Sequence, residues 1–223
     1  MKGICFIPPL HDKTVKKTKT ETRRIITKQP LENESIKPFV KGFFGIYHKV
    51  GGIDNLKLTL KPRYNVGEIL YLKEPYCIGV NGCDTLPSLI YYKYNEKDMS
   101  FLTRTGLIND IKWKNKLFMP AYAARHFIKV TAVRAERLHD ISDEDCIKEG
   151  IEICKYDTRH FVNDIWGKSK LDGTWENTRT LYDTPKQAYK ALINSIDGKD
   201  TWDNNPWVWV YDYKLIDRKE VQI

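Results

Sequence analysis

The sequence predicts a mixed α+β fold, or a compact β-barrel, because short strand-like segments are more numerous than helical ones and do not alternate with them. A doubly wound parallel sheet would require regular β-α-β alternation. Hydrophobic residues make up 41% of the 223 residues, which is enough for a sizeable core. We therefore expect a single domain, residues 1–223, with insertions at about 28–62, 77–115 and 152–183.

The strands are predicted from apolar or alternating runs that are bounded by turn residues. Pro8 and Pro9 follow the first run, and a glycine-containing turn precedes the second. Trp and Tyr alternate with Val along the last run, which is typical of a strand with a buried face. The predicted strands are, in chain order, residues 3–7, 69–74, 128–138 and 207–215.

Two helices have clear start signals. Ser142 has N-cap chemistry, Asp145 completes the capping-box spacing, and Gly150 is typical of the residue just after a helix. This places Glu149 in the last turn, at the negative end of the helix dipole. A second helix is predicted to begin at Thr184-Pro185, because proline is favoured at the first helical position. Residues 10–17 are long enough for one or two further helical turns.

The three insertions have weaker patterns. Residues 28–62 contain several prolines and glycines and are predicted to be rich in loops. Residues 77–115 contain one predicted strand at 91–94, where tyrosines cluster. Residues 152–183 are polar and are predicted to be irregular.

A basic cluster with the sequence K-T-K-T-E-T-R-R occupies residues 17–24. Such a cluster can bind an anion such as phosphate. It can also activate a nucleophile, because a lysine among other cations has a lowered pKa and can accept a proton from a hydroxyl. Lys19 and Thr22 would share a face on a helical turn, whereas on a flat strand they would point to opposite faces. The simplest alternative is a solvated basic turn.

The net charge of +8 is concentrated in the first part of the chain. Residues 1–63 contain 14 Lys or Arg and 5 Asp or Glu, a net +9, and the remaining residues have a net −1. A one-sided positive charge indicates a polyanionic partner, most often nucleic acid. A charge that only promotes solubility is the alternative.

The cysteine content and the hydropathy of the sequence indicate in which cellular compartment the protein is expected. The five cysteines include no C-x-x-C pair, which argues against a disulfide framework and a zinc knuckle and predicts a reducing cytoplasm. No apolar run reaches the roughly 18 residues of a membrane span, so no membrane partner is expected. The five histidines lack metal-ligand spacing, and we expect neither a metal nor another cofactor.

Six blocks of the sequence resemble the ASCH family, which has a PUA-like β-barrel, and are closest to its bacteriophage-encoded versions, often labelled morphogenetic proteins. The blocks occur in the family order and leave most of the insertions uncovered. Two positions depart from the family pattern: Lys17 stands where a glycine is usual, and Glu68 where an aspartate is usual. The matching blocks are residues 3–10, 19–24, 67–74, 119–125, 130–151 and 205–210.

The resemblance implies a catalytic site. In the ASCH amidohydrolases that deacylate N4-acetylcytidine, the motif lysine accepts a proton, the second motif threonine is the nucleophile and a glutamate is the proton donor. Carried over by motif, these residues are Lys19, Thr22 and Glu149. A carboxyl at the negative end of a helix dipole favours its protonated form, which suits a general acid. Each residue also has a simpler alternative role. These roles are a phosphate contact for Lys19, a capping hydroxyl for Thr22 and an exposed helix-end carboxylate for Glu149.

Further residues are candidates for binding substrate or phosphate. They are basic, hydroxyl or aromatic side chains in or near the matching blocks, namely Thr20, Arg23, Arg24, Arg125 and Tyr71. Ion pairing with nearby acids is the alternative for Arg125. The aromatic residues of the last strand can stack on bases, but at period two beside valines they are more typical of core.

Two functions from different classes remain at this point. The first is an amidohydrolase that removes the acyl group from N4-acetylcytidine-type nucleosides with a Lys-Thr-Glu site. The second is a non-catalytic module that binds RNA or a modified nucleotide. A ribonuclease is a weaker third hypothesis. In each case the expected partner is a nucleoside or RNA, and the sequence does not fix the oligomeric state.

Overall fold

A computed structural model describes residues 1–79, 89–106, 112–154, 161–168 and 175–221, which form a mixed α/β structure with more strands than helices. The helices are α1 (Pro8–Val15), α2 (Glu96–Arg104), α3 (Asp143–Lys148) and α4 (Pro185–Asp197). The strands are β1 (Lys2–Cys5), β2 (Glu21–Ile25), β3 (Glu34–Pro38), β4 (Phe44–Val50), β5 (Ile53–Leu60), β6 (Ile69–Lys73), β7 (Tyr76–Gly79), β8 (Leu89–Tyr92), β9 (Phe127–Arg137), β10 (Glu152–Ile153), β11 (Phe161–Lys168), β12 (Trp175–Tyr182) and β13 (Trp207–Ile216).

The chain divides into two compact units. Unit 1 contains Met1–Val15, Ile69–Lys129 and Leu215–Ile223, and unit 2 contains Lys16–Glu68 and Val130–Lys214. The division passes through β9 and β13, so part of each strand belongs to each unit. Within neither unit do the described strands close into a barrel.

Unit 1 is built on a short sheet in which β6 is the middle strand. β1 pairs with β6 in parallel, and the first residues of β9 pair with β6 in antiparallel. β7 and β8 form a separate antiparallel pair. The core beside these strands contains Tyr71, whose hydroxyl donates a hydrogen bond of 2.9 Å to the carbonyl oxygen of Met119. Tyr71 is therefore a core residue of unit 1, and its hydroxyl group has a hydrogen-bond partner.

Unit 2 contains the strands that carry the charged residues of the candidate site. β13 lies between β9 and β2, and it pairs with β2 in antiparallel. One face of this sheet contributes to an aromatic core, where Trp209 meets Phe44 and Tyr211 meets Tyr64 in edge-to-face contacts. The prediction that the aromatic residues of the last strand belong to the core is therefore confirmed.

The loop prediction for residues 28–62 is corrected by the structure. β3, β4 and β5 form a three-stranded antiparallel sheet in this segment. Gly51 and Gly52 have φ angles of 59° and 85°, and they make the two-residue turn between β4 and β5. The glycines mark a hairpin, and the buried Ile36 and Ile46 supply the apolar face that stabilises it.

The other two insertions also contain regular structure. β10, β11 and β12 form an antiparallel sheet within 152–183, a segment predicted to be irregular. Within 77–115 the strand predicted at 91–94 is only partly confirmed, because β8 ends at Tyr92, and α2, which is capped by the Asn95 side chain, has no counterpart in the prediction. Cys83 and His160 lie outside the described residues, and the four described cysteines are free thiols.

The helix signals are confirmed. The Ser142 hydroxyl accepts a hydrogen bond of 3.1 Å from the backbone N–H of Asp145, and the Thr184 hydroxyl accepts one of 3.2 Å from Gln187. Gly150 has a φ angle of 103°, which glycine adopts without a side-chain clash. In the described part of the chain, no helix is long and apolar enough to cross a membrane.

Candidate active site

Backbone hydrogen bonds in unit 2 bring the basic cluster to the end of α3. The N–H of Thr20 donates to the carbonyl oxygen of Lys148 at 2.9 Å, and the carbonyl oxygen of Thr20 accepts from the N–H of Tyr213 at 2.9 Å. Lys19 lies just before β2, and Glu149 is the C-cap residue of α3. The two predicted proton-transfer residues are therefore held in one place by main-chain contacts.

Lys19 and Glu149 form a short, buried ion pair. The Lys19 Nζ atom donates to Glu149 Oε2 at 2.5 Å, to the Glu149 carbonyl oxygen at 2.9 Å and to the Glu21 carbonyl oxygen at 2.6 Å. Only 1% of Lys19 and 4% of Glu149 is exposed. Three acceptors match the three N–H donors of an ammonium group, so the geometry is that of a charged lysine.

The pKa of Lys19 is lowered, and burial is the main cause. Arg24 lowers it further, whereas Glu149 and Glu21 act in the opposite direction. The predicted direction of the shift agrees with this result. The predicted cause is corrected, because removal of the ammonium from water has a larger effect than the neighbouring cations.

Arg23 is enclosed by carboxylates. Its Nη1 atom donates to Glu21 and, at 3.3 Å, to Glu149 Oε1, and its Nη2 atom donates to Glu136 Oε1 at 2.6 Å and to Asp145 Oδ2 at 3.3 Å. The Arg23 side chain is fully buried. A side chain in this environment fixes the position of Glu149, and phosphate contact by Arg23 would require these ion pairs to break.

The ion pairs continue across three neighbouring strands of unit 2. Arg134 on β9 donates to Asp212 on β13 at 2.8 Å and to Glu21 on β2 at 2.8 Å. It also contacts Glu136 at 3.1 Å and Asp145 at 3.2 Å. This network is not among the features predicted from the sequence. The signal that was available is the period-two spacing of charged residues in β2 and β9, which places them on one face of each strand.

Glu21 is the most perturbed carboxyl of the network. It is buried, and its pKa is raised to about 7, mainly by burial and then by a hydrogen bond with Asp212. Arg23 and Arg134 act in the opposite direction. The single acid of the basic cluster therefore changes its protonation near neutral pH.

Thr22 and Arg24 lie on β2 at positions that alternate with Glu21 and Arg23. Thr22 is buried and pairs with Tyr211 of β13, whereas Arg24 and the preceding Thr20 are half-buried. Strand geometry turns Thr22 and Arg24 to the face opposite Glu21 and Arg23. Thr22 is not among the three acceptors of Lys19 given above, and the helical turn that would align the two residues is not formed.

Arg125 and Tyr71 belong to unit 1 and are therefore described separately from Lys19. Arg125 binds both carboxylate oxygens of Glu74, each at 2.7 Å, and its guanidinium lies 4.5 Å from the ring centre of Tyr92. Arg125 is therefore in an ion pair, which is the predicted alternative to contact with substrate or phosphate. Tyr71 is in the core, as described above.

Tyr189 on α4 is a further residue of the site that the sequence pattern did not single out. It is 1% exposed, and its pKa is raised well above the ordinary value by burial and by the negative charge of Glu149. A buried tyrosine in a helical apolar stripe has no signal in the sequence that separates it from core residues.

Among the residues that the structure describes, no group of three or more His, Cys, Asp or Glu side chains is placed to hold a metal ion. Comparisons of the chain with protein-family models, with curated proteins and with solved structures found no match.

Proposed function

We propose that the protein is an amidohydrolase that removes the acyl group from N4-acetylcytidine-type nucleosides. The observation that carries the proposal is the buried contact of 2.5 Å between Lys19 Nζ and Glu149 Oε2. The proposal also rests on the resemblance to the ASCH family, in which a lysine and a glutamate have the corresponding roles.

The ion pair of Lys19 and Glu149 differs from the base and acid that catalysis needs only in the position of one proton. If one proton moves from Lys19 Nζ to Glu149 Oε2, the ammonium and carboxylate become a neutral amine and a carboxylic acid. The amine is then a general base and the carboxylic acid is a general acid. Burial of Lys19 favours its neutral amine, because burial disfavours the charged ammonium. Lowering of the pKa of Lys19 acts in the same direction.

The reaction would proceed in two steps. The Thr22 hydroxyl attacks the acyl carbon, Lys19 accepts the hydroxyl proton, and Glu149 protonates the cytosine nitrogen as the carbon–nitrogen bond breaks. Water then hydrolyses the acyl-threonine and releases acetate, and the free amine is cytidine. Thr22 needs to approach Lys19 for the first step. We therefore propose that substrate binding changes the path of the chain around residue 19.

The conformation of Lys17 is compatible with the glycine that is usual at this position in the ASCH pattern. Lys17 has a φ angle of 62°, in the left-handed region that favours glycine, and the ASCH pattern usually has glycine at this position. A glycine at this position would adopt the same φ angle without strain. We keep the PUA-like barrel as part of the same proposal.

The second candidate is a non-catalytic module that binds RNA or a modified nucleotide. It is favoured by the net charge of +9 in residues 1–63 and by the burial of Lys19, which is 1% exposed. In this case the network would be structural, and exposed lysines such as Lys49 and Lys41 would contact phosphate.

The test is to incubate the protein with N4-acetylcytidine and to measure cytidine by chromatography. Mass spectrometry of the protein, taken within one turnover, would detect an acetyl group on Thr22. We expect cytidine from the wild type, and none from Lys19→Ala or Thr22→Ala. Circular dichroism would show that each variant is folded.

If the wild type releases no cytidine but binds RNA with an affinity that decreases steeply with salt, the binding module is the correct function. RNA cleavage that is lost in Lys19→Ala and Thr22→Ala would support the ribonuclease instead. Cytidine release by a folded Thr22→Ala variant would contradict the acyl-enzyme step.

A further inference from the structure

A segment of unit 1 that the proposed amidohydrolase chemistry does not use is both basic and aromatic. Residues 112–129 contain five Lys or Arg and no Asp or Glu, although residues 64–223 as a whole have a net charge of −1. Aromatic and apolar residues are interleaved with the cations at the start of the segment, in the sequence K-W-K-N-K-L-F. Such interleaving is typical of surfaces that bind nucleic acid.

Two large rings of this segment are exposed to solvent. Phe118 is 80% exposed and Tyr122 is 59% exposed, and Leu117 beside them is 57% exposed. Within the described ranges, neither ring contacts another aromatic ring or a cation. Both rings are therefore accessible to a partner that approaches from solvent.

Buried neighbours hold the exposed rings in place. Met119 is 1% exposed, Ala123 and Ala124 are fully buried, and all three belong to the core of unit 1. Short 3₁₀ turns, Lys116–Phe118 and Ala121–Ala123, lie on either side of Met119 and Pro120. The segment is thus ordered before a partner binds, which lowers the entropic cost of binding.

Two cations from other segments contact the backbone of this segment. Lys73 Nζ donates to the carbonyl oxygen of Leu117 at 2.6 Å, and Arg218 donates to the carbonyl oxygens of Tyr122 and Ala124 at 3.3 Å and 3.2 Å. In the part of the chain that the structure describes, neither cation is paired with a carboxylate. A carbonyl oxygen does not neutralise a full charge, so both side chains remain positive beside the exposed rings.

A third cation, Lys114, lies near Tyr122. Its Nζ atom is 5.8 Å from the ring centre of Tyr76, and its backbone N–H donates to the Tyr76 carbonyl oxygen at 2.8 Å. The pKa of Tyr76 is raised, first by burial and then by Tyr122, which shows that the two tyrosines are neighbours. Cations therefore lie on more than one side of the exposed rings.

We propose that the surface formed by Phe118, Tyr122, Lys73, Lys114 and Arg218, here called the aromatic–basic surface, binds single-stranded nucleic acid. Bases stack on the two rings, and the three cations lie beside backbone phosphates. A single strand fits better than a duplex, because the faces of its bases are accessible for stacking. The proposal does not depend on the amidohydrolase chemistry.

Other partners would use only part of the aromatic–basic surface. An acidic peptide offers carboxylates to the cations but does not require two exposed rings. A lipid bilayer accepts apolar side chains, but binding to it increases with the apolar area that is buried. Here the exposed apolar side chains stand on two short turns and not on a long amphipathic helix. A single-stranded nucleic acid uses the rings and the cations together.

The test is fluorescence anisotropy of labelled single strands of about twelve uridines or thymidines, titrated with the whole protein. We expect binding at low ionic strength that weakens as salt is added. Preference for the uridine strand would support an RNA partner, and comparable binding of both strands would support RNA and DNA alike. Absence of binding, or equal affinity for a duplex RNA of the same length, would overturn the proposal.

Variants of the surface separate stacking from charge. We expect Phe118→Ala and Tyr122→Ala each to weaken binding by about tenfold without a change in its salt dependence, because each removes one stacked base. Lys73→Met and Arg218→Met should each reduce the slope of log K against log salt concentration by about 0.7, because each removes one phosphate contact. Wild-type affinity in both aromatic variants would contradict stacking on these rings.

Controls are available at exposed positions of unit 2. Phe39→Ala is the matched control for Phe118→Ala, and Lys186→Met is the control for the two cation variants, so we expect both to bind as the wild type. Weakening by Phe39→Ala but not by Phe118→Ala would move the nucleic acid to the basic part of unit 2 and overturn the proposal. Circular dichroism would show that each variant is folded.

Two competitors test the other classes of partner. Polyglutamate that displaces the uridine strand, with a potency that Phe118→Ala does not change, would indicate an acidic protein partner instead. Binding to phosphatidylserine vesicles but not to the single strands would indicate a membrane surface. Either result would overturn the proposal. Binding is measured without turnover, so failure of this proposal leaves the amidohydrolase proposal standing, and the reverse also holds.

Discussion

Lys19 Nζ lies 2.5 Å from Glu149 Oε2, although 130 positions separate these residues in the chain. Both side chains are buried, and the carboxylate also contacts Arg23. The contact joins the segment before β2 to the end of α3, so stability and proposed chemistry depend on the same atoms.

We expect Glu149→Gln to destabilise the protein by about 3 kcal/mol or more, because it leaves a buried ammonium without its counter-ion. Urea unfolding followed by circular dichroism would measure the change in the free energy of unfolding. Lys148→Met is the matched control: the Lys148 side chain, which pairs with Asp145, is about half exposed, so we expect a change of about 1 kcal/mol or less. A loss in Glu149→Gln no larger than in this control would contradict the importance of the buried pair.

Arg23→Lys is expected to be strongly destabilising, although lysine keeps the positive charge at this position. An ammonium is a point charge and cannot reproduce the guanidinium fork, which reaches Glu21, Glu136 and Glu149 at once. We expect a loss of about 3 kcal/mol in urea unfolding at neutral pH. Stability equal to that of the wild type would show that position 23 needs only a positive charge.

Glu21 should make the stability of the protein depend on pH. Its pKa is about 7 in the folded protein and near 4.5 in the unfolded chain, so the folded state binds the proton more tightly. The stabilisation is therefore complete below pH 4.5 and is lost as pH rises through 7. It amounts to roughly 3 kcal/mol.

Urea unfolding at several pH values between 4.5 and 8 would test this, with Glu21→Gln as the comparison. The variant cannot titrate at this position, so we expect its stability to decline less with pH than that of the wild type. Identical pH dependence in the two proteins would show that Glu21 does not titrate in this range.

Lys17→Gly should stabilise the protein by up to about 1 kcal/mol, because a left-handed φ angle is costly for any residue with a Cβ atom. Lys28→Gly is the control at an exposed position without a left-handed φ angle. There we expect a loss of roughly 0.5–1 kcal/mol, from the greater freedom of glycine in the unfolded chain. Thermal unfolding would measure both changes, and destabilisation by Lys17→Gly would contradict the strain argument.

Local signals in the sequence were sufficient to predict α3 and its ends. Ser142 and Gly150 act through hydrogen bonds and backbone angles within a few residues, so they need no knowledge of the tertiary structure. The same is true of Thr184 at the start of α4. Glu149 could therefore be assigned to the end of α3 before its partner was known.

Long-range pairing could not be predicted in the same way. The ion network of Arg23, Arg134 and Asp212 depends on β13 lying between β2 and β9, and strand order is not encoded in any one segment. The sheet of β3, β4 and β5 is not predictable from these local signals, because glycines and prolines are typical both of loops and of the turns between strands. The cause of the lowered pKa of Lys19, which is burial, likewise emerges only from the folded structure.

The most direct test of the central claim is the rate of cytidine release from N4-acetylcytidine by the wild type and by Lys19→Arg. Arginine can retain a positive charge beside Glu149 but cannot lose a proton at accessible pH, so it removes the proposed base while keeping the ion pair. We predict turnover by the wild type and a loss of about a thousandfold or more in kcat/KM in folded Lys19→Arg. Comparable turnover by Lys19→Arg, or none by the wild type, would contradict the assignment of Lys19 and Glu149 as a proton-transfer pair.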